Sequence, residues 1–245
     1  MRLGKWALSM VLLLALTMLC AGAGAETFTS GDYEYQVLED GTAEIIGYYG
    51  SAKELNVPAE LDGIRVTSIG YTAFYECTSL TSVTLPDGVT RIEESAFENC
   101  RALTSVTLPD SLTSIGWYAF SQCNLLTGVT LPGSLTGIGY YAFEYCSSLT
   151  SIVLPDSVTE IYGNPFAYCE SLSSIQVSPN HPSVEVIDGV LFSKRDKKLL
   201  AYPGGLAQSE YTVPQGTQYI GDGAFDGCSS LISITLPDSG DRHWG

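Results

Sequence analysis

The sequence predicts an α/β repeat solenoid: a right-handed stack of coils with a parallel β-sheet and short helical turns, an N-terminal β-hairpin cap and an inserted β-hairpin. Three observations carry this expectation. Phe74, Phe97, Phe120, Phe143 and Phe166 recur every 23 residues; Cys77, Cys100, Cys123, Cys146 and Cys169 keep the same step; so do Pro86, Pro109, Pro132 and Pro155. Three residue types locked to one period mark a copied unit that places equivalent side chains on a shared axis. Function on such a chain is sought on a surface rather than in a cleft.

The unit from Leu103 to Cys123 shows how each repeat is built. Val106 and Leu108 alternate with Thr, the period-2 signature of a strand with one buried face. Pro109 ends that strand because it has no N–H to give a ladder. Leu112 and Ile115 form a second short apolar element, and Gly116 permits the turn out of it. Phe120 and Cys123 stand three apart, so a helical turn would point both inward. No such unit buries enough apolar surface to stand alone, and its stability must come from its neighbours.

The layout follows from texture. Residues 1–25 carry Arg2 and Lys5, an apolar run from Trp6 to Cys20, then Ala23, Gly24 and Ala25, the three regions of a cleavable secretory signal. A single membrane-spanning helix is the alternative, although the run is shorter than the roughly 20 apolar residues needed. Cys20 raises a lipoprotein reading, but Thr17, Met18 and Leu19 lack the small residue such cleavage uses. Residues 26–65 read as a β cap, with alternation at Tyr33, Tyr35 and Val37, a turn at Asp40 and Gly41, and alternation again at Ala43 and Ile45. Residues 66–177 hold the regular repeats. Residues 178–213 are a β-hairpin insert, since Val184, Val186, Val190 and Phe192 flank a turn at Asp188 and Gly189. Residues 214–245 return to the beat at Phe225 and Cys228, with no C-terminal cap visible in the sequence.

The formal net charge is −16 at pH 7, and −18 once Arg2 and Lys5 are removed with the leader. Such a surface disfavours nucleic acid and anionic lipid. Acidity alone names no ligand, since extracellular solubility explains it equally well.

The repeated pattern L-T-S-V-T-L-P-D-S-L-T-S-I-G-x-x-A-F-x-x-C resembles the BspA-like class of bacterial leucine-rich repeats. The resemblance covers nearly the whole chain after the leader. Residues 186–192, followed by Leu199, Leu200, Ala201, Tyr202 and Pro203, look like the hairpin that this family often carries. Two places depart from the pattern: Pro165 replaces the usual Ala before Phe166, and Glu93 follows Ile92 where Gly is expected. The resemblance implies a secreted or surface-displayed module, some relatives acting as adhesins for host matrix proteins or other cells. It implies no motif residues for that role.

Chemistry-bearing residues give no convergent set. His181 and His243 lie outside any nucleophile-bearing context. Thr84, Thr107 and Thr130 are outward strand positions; regular Thr rows also occur on ice-binding solenoids, but Val153 and Gln176 break this one. Asp87, Asp110 and Asp156 sit in the turn after Pro, where they satisfy local donors. Residues 236–240 resemble a degenerate sortase signal, yet the same letters recur inside repeats. The cysteine column invites disulfides in a secreted chain, but stacked side chains hold their Cβ atoms too far apart, and buried reduced thiols are expected. Catalytic residues, metal ligands and cofactors are expected to be absent.

Two surface features stand out. Trp117, Tyr118, Tyr140, Tyr141, Tyr145 and Tyr168 fall at non-core places of three successive repeats, so stacking should gather them into an aromatic stripe suited to protein contact, with carbohydrate as the second ligand class. The plainer reading is that these rings only pack on each other. Lys194, Arg195, Lys197 and Lys198 put four of nine remaining basic residues in one hairpin tip, either solvated or facing an acidic partner. The expected function is non-enzymatic protein–protein interaction or adhesion. A structural spacer, or a fragment of a larger surface protein, is the rival.

Overall fold

The fold is that of a computed structural model, which describes residues 26–237. The leader expected at residues 1–25, with Cys20, and also His243 and most of residues 236–240 lie outside the described residues. Twenty strands follow in order. The first six are β1 (Thr27–Ser30), β2 (Tyr33–Val37), β3 (Ala43–Tyr48), β4 (Glu54–Asn56), β5 (Glu60–Leu61) and β6 (Ile64–Ile69). The next eight are β7 (Ser82–Thr84), β8 (Arg91–Ile92), β9 (Ser105–Thr107), β10 (Ser114–Ile115), β11 (Gly137–Ile138), β12 (Ser151–Leu154), β13 (Glu160–Ile161) and β14 (Ser174–Val177). The last six are β15 (Val184–Ile187), β16 (Val190–Ser193), β17 (Lys198–Ala201), β18 (Glu210–Thr212), β19 (Tyr219–Ile220) and β20 (Ser233–Thr235).

The repeats wind into a β-solenoid with three faces. One face carries the parallel strands β4, β7 and β9, then β12 and β14, then β18 and β20. Its ladder is interrupted at Val129, where Gly128 takes the place held by Ser82, Ser105, Ser151 and Ser174 in the neighbouring coils; Gly carries more backbone entropy into a strand. The second face runs from the antiparallel meander β1–β2–β3 into the parallel series β6, β8, β10, β11 and β13. Along it Thr90 donates its hydroxyl to the Thr67 carbonyl at 3.2 Å, Thr113 to Thr90 at 2.9 Å and Thr136 to Thr113 at 3.0 Å.

The third face corrects an expectation: the segments around Phe74, Phe97, Phe120 and Phe143 are not helical turns. Among the described residues no helix is present. Each segment is a run of β-turns, as in Ala73 N–H to Gly70, Tyr75 to Thr72 and Cys77 to Phe74. The intervening N–H groups of Thr72, Phe74 and Glu76 reach the next coil, at Glu94, Ala96 and Glu98. A helix would consume all these donors internally and leave the stack unbonded. The turns instead place Thr72, Glu76, Ser95, Asn99, Tyr118, Gln122, Tyr141 and Tyr145 at positive φ, the position at which a type II turn prefers Gly. Strain at these non-Gly residues is offset by the bonds the geometry allows.

The core follows the period. Phe74, Phe97, Phe120, Phe143 and Phe166 are buried and stack with centroids 4.8, 5.2, 5.4 and 6.0 Å apart, and Tyr48 continues the column at 5.3 Å from Phe74. Cys100, Cys123, Cys146 and Cys169 are buried beside them, each thiol donating to the carbonyl of a Phe one coil back, at 3.0 to 3.4 Å. The described cysteines are unbridged. This core continues to Ala201, and a second cluster around Tyr202, Tyr211 and Val213 serves the last coils.

Between Phe166 and Phe225 the chain makes one irregular coil. β15 and β16 form an antiparallel hairpin, and β17 returns to the stack, pairing parallel with β19. Tyr202 takes the Phe place there: its N–H reaches Ala224 and its carbonyl accepts from Cys228, as Phe carbonyls do for the other cysteines. This coil is short on the turn face, so Tyr168 N–H bonds directly to Asp226.

Candidate functional site

The turn face is where the sequence-predicted aromatic residues lie. Because successive turns are hydrogen-bonded in register, equivalent side chains stack along the axis. Tyr118 and Tyr141 approach to 5.5 Å between ring centroids, Tyr140 and Tyr141 to 3.8 Å, and Tyr145 and Tyr168 lie parallel at 4.5 Å. The single stripe expected is therefore two clusters, one at the entry of the turns and one at the exit. Trp117 joins neither by a ring pair and stands out into solvent.

Glycine shapes the entry cluster. The Tyr140 ring lies over Gly163, where a Cβ would sit 1.9 Å from its Cδ2. Tyr141 extends across the same coil, and its hydroxyl donates to Asp226 at 2.9 Å. Asn164 repairs the departure at Pro165: its carbonyl oxygen accepts from Phe166 N–H at 2.9 Å, and its amide donates to Gly223 at 2.8 Å.

Carboxylates are interleaved with the rings. Burial, then the Glu144 charge, Tyr140 and the charges of Glu94 and Glu98 raise the Tyr118 hydroxyl above its ordinary value. For Tyr168 the Asp226 charge is the largest cause of a similar rise. Burial lifts the Glu144 carboxyl, Ser121 opposes this by donating to it at 3.0 Å, and Glu98 and Asp226 add to the rise. The face is thus aromatic and anionic together. Its acidic members were missed from sequence, although the 23-residue period alone aligns Glu98 with Glu144, each directly after its Phe; Asp226 follows Phe225 beyond the insert, where the period is broken. Tyr71 and Tyr75, both exposed, extend the face by two coils and were missed as well.

The basic residues lie elsewhere. Lys194, Arg195 and Lys197 occupy the turn from β16 to β17 and Lys198 opens β17, with Lys194 Nζ donating to the His181 carbonyl at 2.8 Å. Among the described residues the only ion pair is Arg91 with Glu93 at 3.2 Å, so these cations have no carboxylate partner. No group of three or more His, Cys, Asp or Glu residues suited to a metal ion occurs among the described residues.

With this geometry established, the chain can be placed among known proteins. A family model for the BspA type leucine rich repeat region matches six copies over residues 67–197 and 204–242. Among curated proteins none matches. Solved structures do: a leucine-rich repeat protein from T. pallidum is 29% identical with a TM-score of 0.60, covering 86% of this chain and 82% of that one. One from Bacteroides ovatus is 31% identical, TM-score 0.65, over 86% of this chain, which spans only 53% of that protein. A leucine rich cell surface protein from Faecalibacterium prausnitzii is 30% identical, TM-score 0.57, over 88% and 74% of the two chains. The shared period, the Phe and Cys columns and these matches agree: the chain belongs to the BspA-type leucine-rich repeat family.

Proposed function

We propose that this protein is a non-enzymatic, secreted or surface-displayed module that binds a protein partner, a host-matrix or cell-surface macromolecule, through its turn face. The observation that supports this most is the exposure of large rings on a rigid frame: Trp117 is 51% exposed and Tyr145 39%. Aromatic side chains that a stacked backbone holds in place lose little entropy on binding, and such rings are enriched among residues that dominate interface energetics. The relative described as a cell surface protein supports an extracytoplasmic setting. Among the described residues no helix is long and apolar enough to cross a membrane.

The test replaces Trp117 and Tyr145 with Ser, leaving the Tyr141 contact intact, and measures adhesion to extracellular-matrix proteins and to cells. Loss of adhesion with an unchanged melting temperature is the expected result. Undiminished adhesion by the folded variant would remove the turn face from the function.

A further inference from the structure

The second face contains a break that no repeat before it shows. In every regular coil two carbonyls of this face accept from the next coil: Thr67 and Ile69 from Thr90 and Glu93, Thr90 and Ile92 from Thr113 and Gly116, Thr113 and Ile115 from Thr136 and Gly139, Thr136 and Ile138 from Thr159 and Tyr162. After the hairpin the same rail resumes, with Lys197 and Leu199 accepting from Gln218 and Gly221. At Thr159 and Ile161 it fails. β13 pairs only with β11, and no backbone donor among the described residues reaches either carbonyl. The cause is the insert: β17 spends its near edge on β16 instead of β13.

The gap is a cleft of about 480 Å³, with Thr159, Glu160 and Tyr162 on one wall and Arg195, Asp196 and Lys198 on the other. That volume lies within the roughly 300–1,000 Å³ of ordinary ligand sites. Two acceptors two residues apart on one edge present the spacing a β-strand's N–H groups match, and an open edge is a template for strand addition. The lining carries two carboxylates and two cations. Glu160 is oriented by the Tyr162 hydroxyl at 2.8 Å and Asp196 by the Ser193 hydroxyl at 3.1 Å, and neither is within ion-pair distance of Arg195 or Lys198, which leaves both cations available to an incoming carboxylate.

We infer that this cleft binds an extended acidic peptide segment of another protein, which adds a strand to β13 through the Thr159 and Ile161 carbonyls and places carboxylates on Arg195 and Lys198. This site is separate from the turn face and does not depend on the function proposed for it.

The probe is a fluorescein-labelled acetyl-(Val-Asp)4 amide, titrated with the purified full chain and followed by anisotropy. Saturable binding with Kd below about 1 mM is expected. Three comparisons should each weaken it at least about tenfold, or 1.4 kcal/mol: a (Val-Lys)4 peptide, the same acidic peptide N-methylated at alternate amides, and the R195E/K198E protein with an unchanged melting temperature. Absence of saturable binding, equal binding of the N-methylated peptide, or indifference to R195E/K198E would each overturn the assignment. So would loss of binding in W117S/Y145S, which would move the peptide to the turn face, or a chain that self-associates through β13 and thereby excludes peptide.

Discussion

The phenol of Tyr141 donates to the carboxylate of Asp226 at 2.9 Å across 85 positions of sequence. It fastens the coil of Phe143 to the coil of Phe225, passing over the irregular stretch where the hairpin leaves the stack. Tyr141→Phe should therefore cost about 1.5 to 3 kcal/mol, the range for a hydrogen bond to a charged group. Tyr118→Phe, which removes a hydroxyl with no such bond, should be close to neutral. Urea unfolding of both variants measures the difference, and equal midpoints would mean the bond contributes nothing.

Truncating the stacked core should be felt according to depth. Phe97 is fully buried between Phe74 and Phe120, whereas Phe225 is only partly buried near the last coil. Phe97→Ala is expected to destabilise by about 3 to 5 kcal/mol and Phe225→Ala by clearly less. Chemical denaturation ranks them; a reversed order would contradict a continuous column.

Glycine replacements should split by site. A Cβ at Gly227 would lie 2.4 Å from Tyr168 Cα, at a φ of +82°, so Gly227→Ala must displace backbone in the adjacent coil and lower the melting temperature by several degrees or more. At Gly128 nothing lies within 4 Å and φ is not positive. Gly128→Ala should leave stability unchanged or raise it by about 0.4 to 1 kcal/mol through reduced unfolded-state entropy. Differential scanning calorimetry of the pair decides.

Alkaline pH should weaken the fold before it weakens ordinary surface contacts. Burial holds the Cys169 thiol up at about 12 against an ordinary 9.0, and lifts Tyr33 to about 12 against 10.0, helped by Tyr48 and Asp32. Both folded values are raised, so the native chain keeps protons that the unfolded chain releases. Their contribution is complete below pH 9 and declines as pH rises toward 12. The urea midpoint should fall between pH 8 and pH 10.5; a constant midpoint would show that these groups titrate alike in both states.

How much was legible beforehand follows from the kind of information each feature uses. The Phe column, the buried cysteines and the two strand positions per coil are written in the period, since stacking forces equivalent residues onto one line. The helical turn was misread from the three-residue spacing of Phe120 and Cys123, which a β-turn satisfies as well as a helix; the choice depends on donors needed by the neighbouring coil. The aromatic residues were legible as a list. Their division into two clusters was not, because it rests on the glycines at 163 and 223 and on how far each ring reaches.

By itself, then, the sequence determined that this chain is a stack of copied coils and which side chains face its axis, because a fixed step admits only one way to bury them all. Only the tertiary structure decided that Tyr141 meets Asp226 and that the ladder is left open at Thr159 and Ile161. Both arise where the hairpin breaks the period, and there the path of the backbone, rather than residue spacing, sets which groups come together.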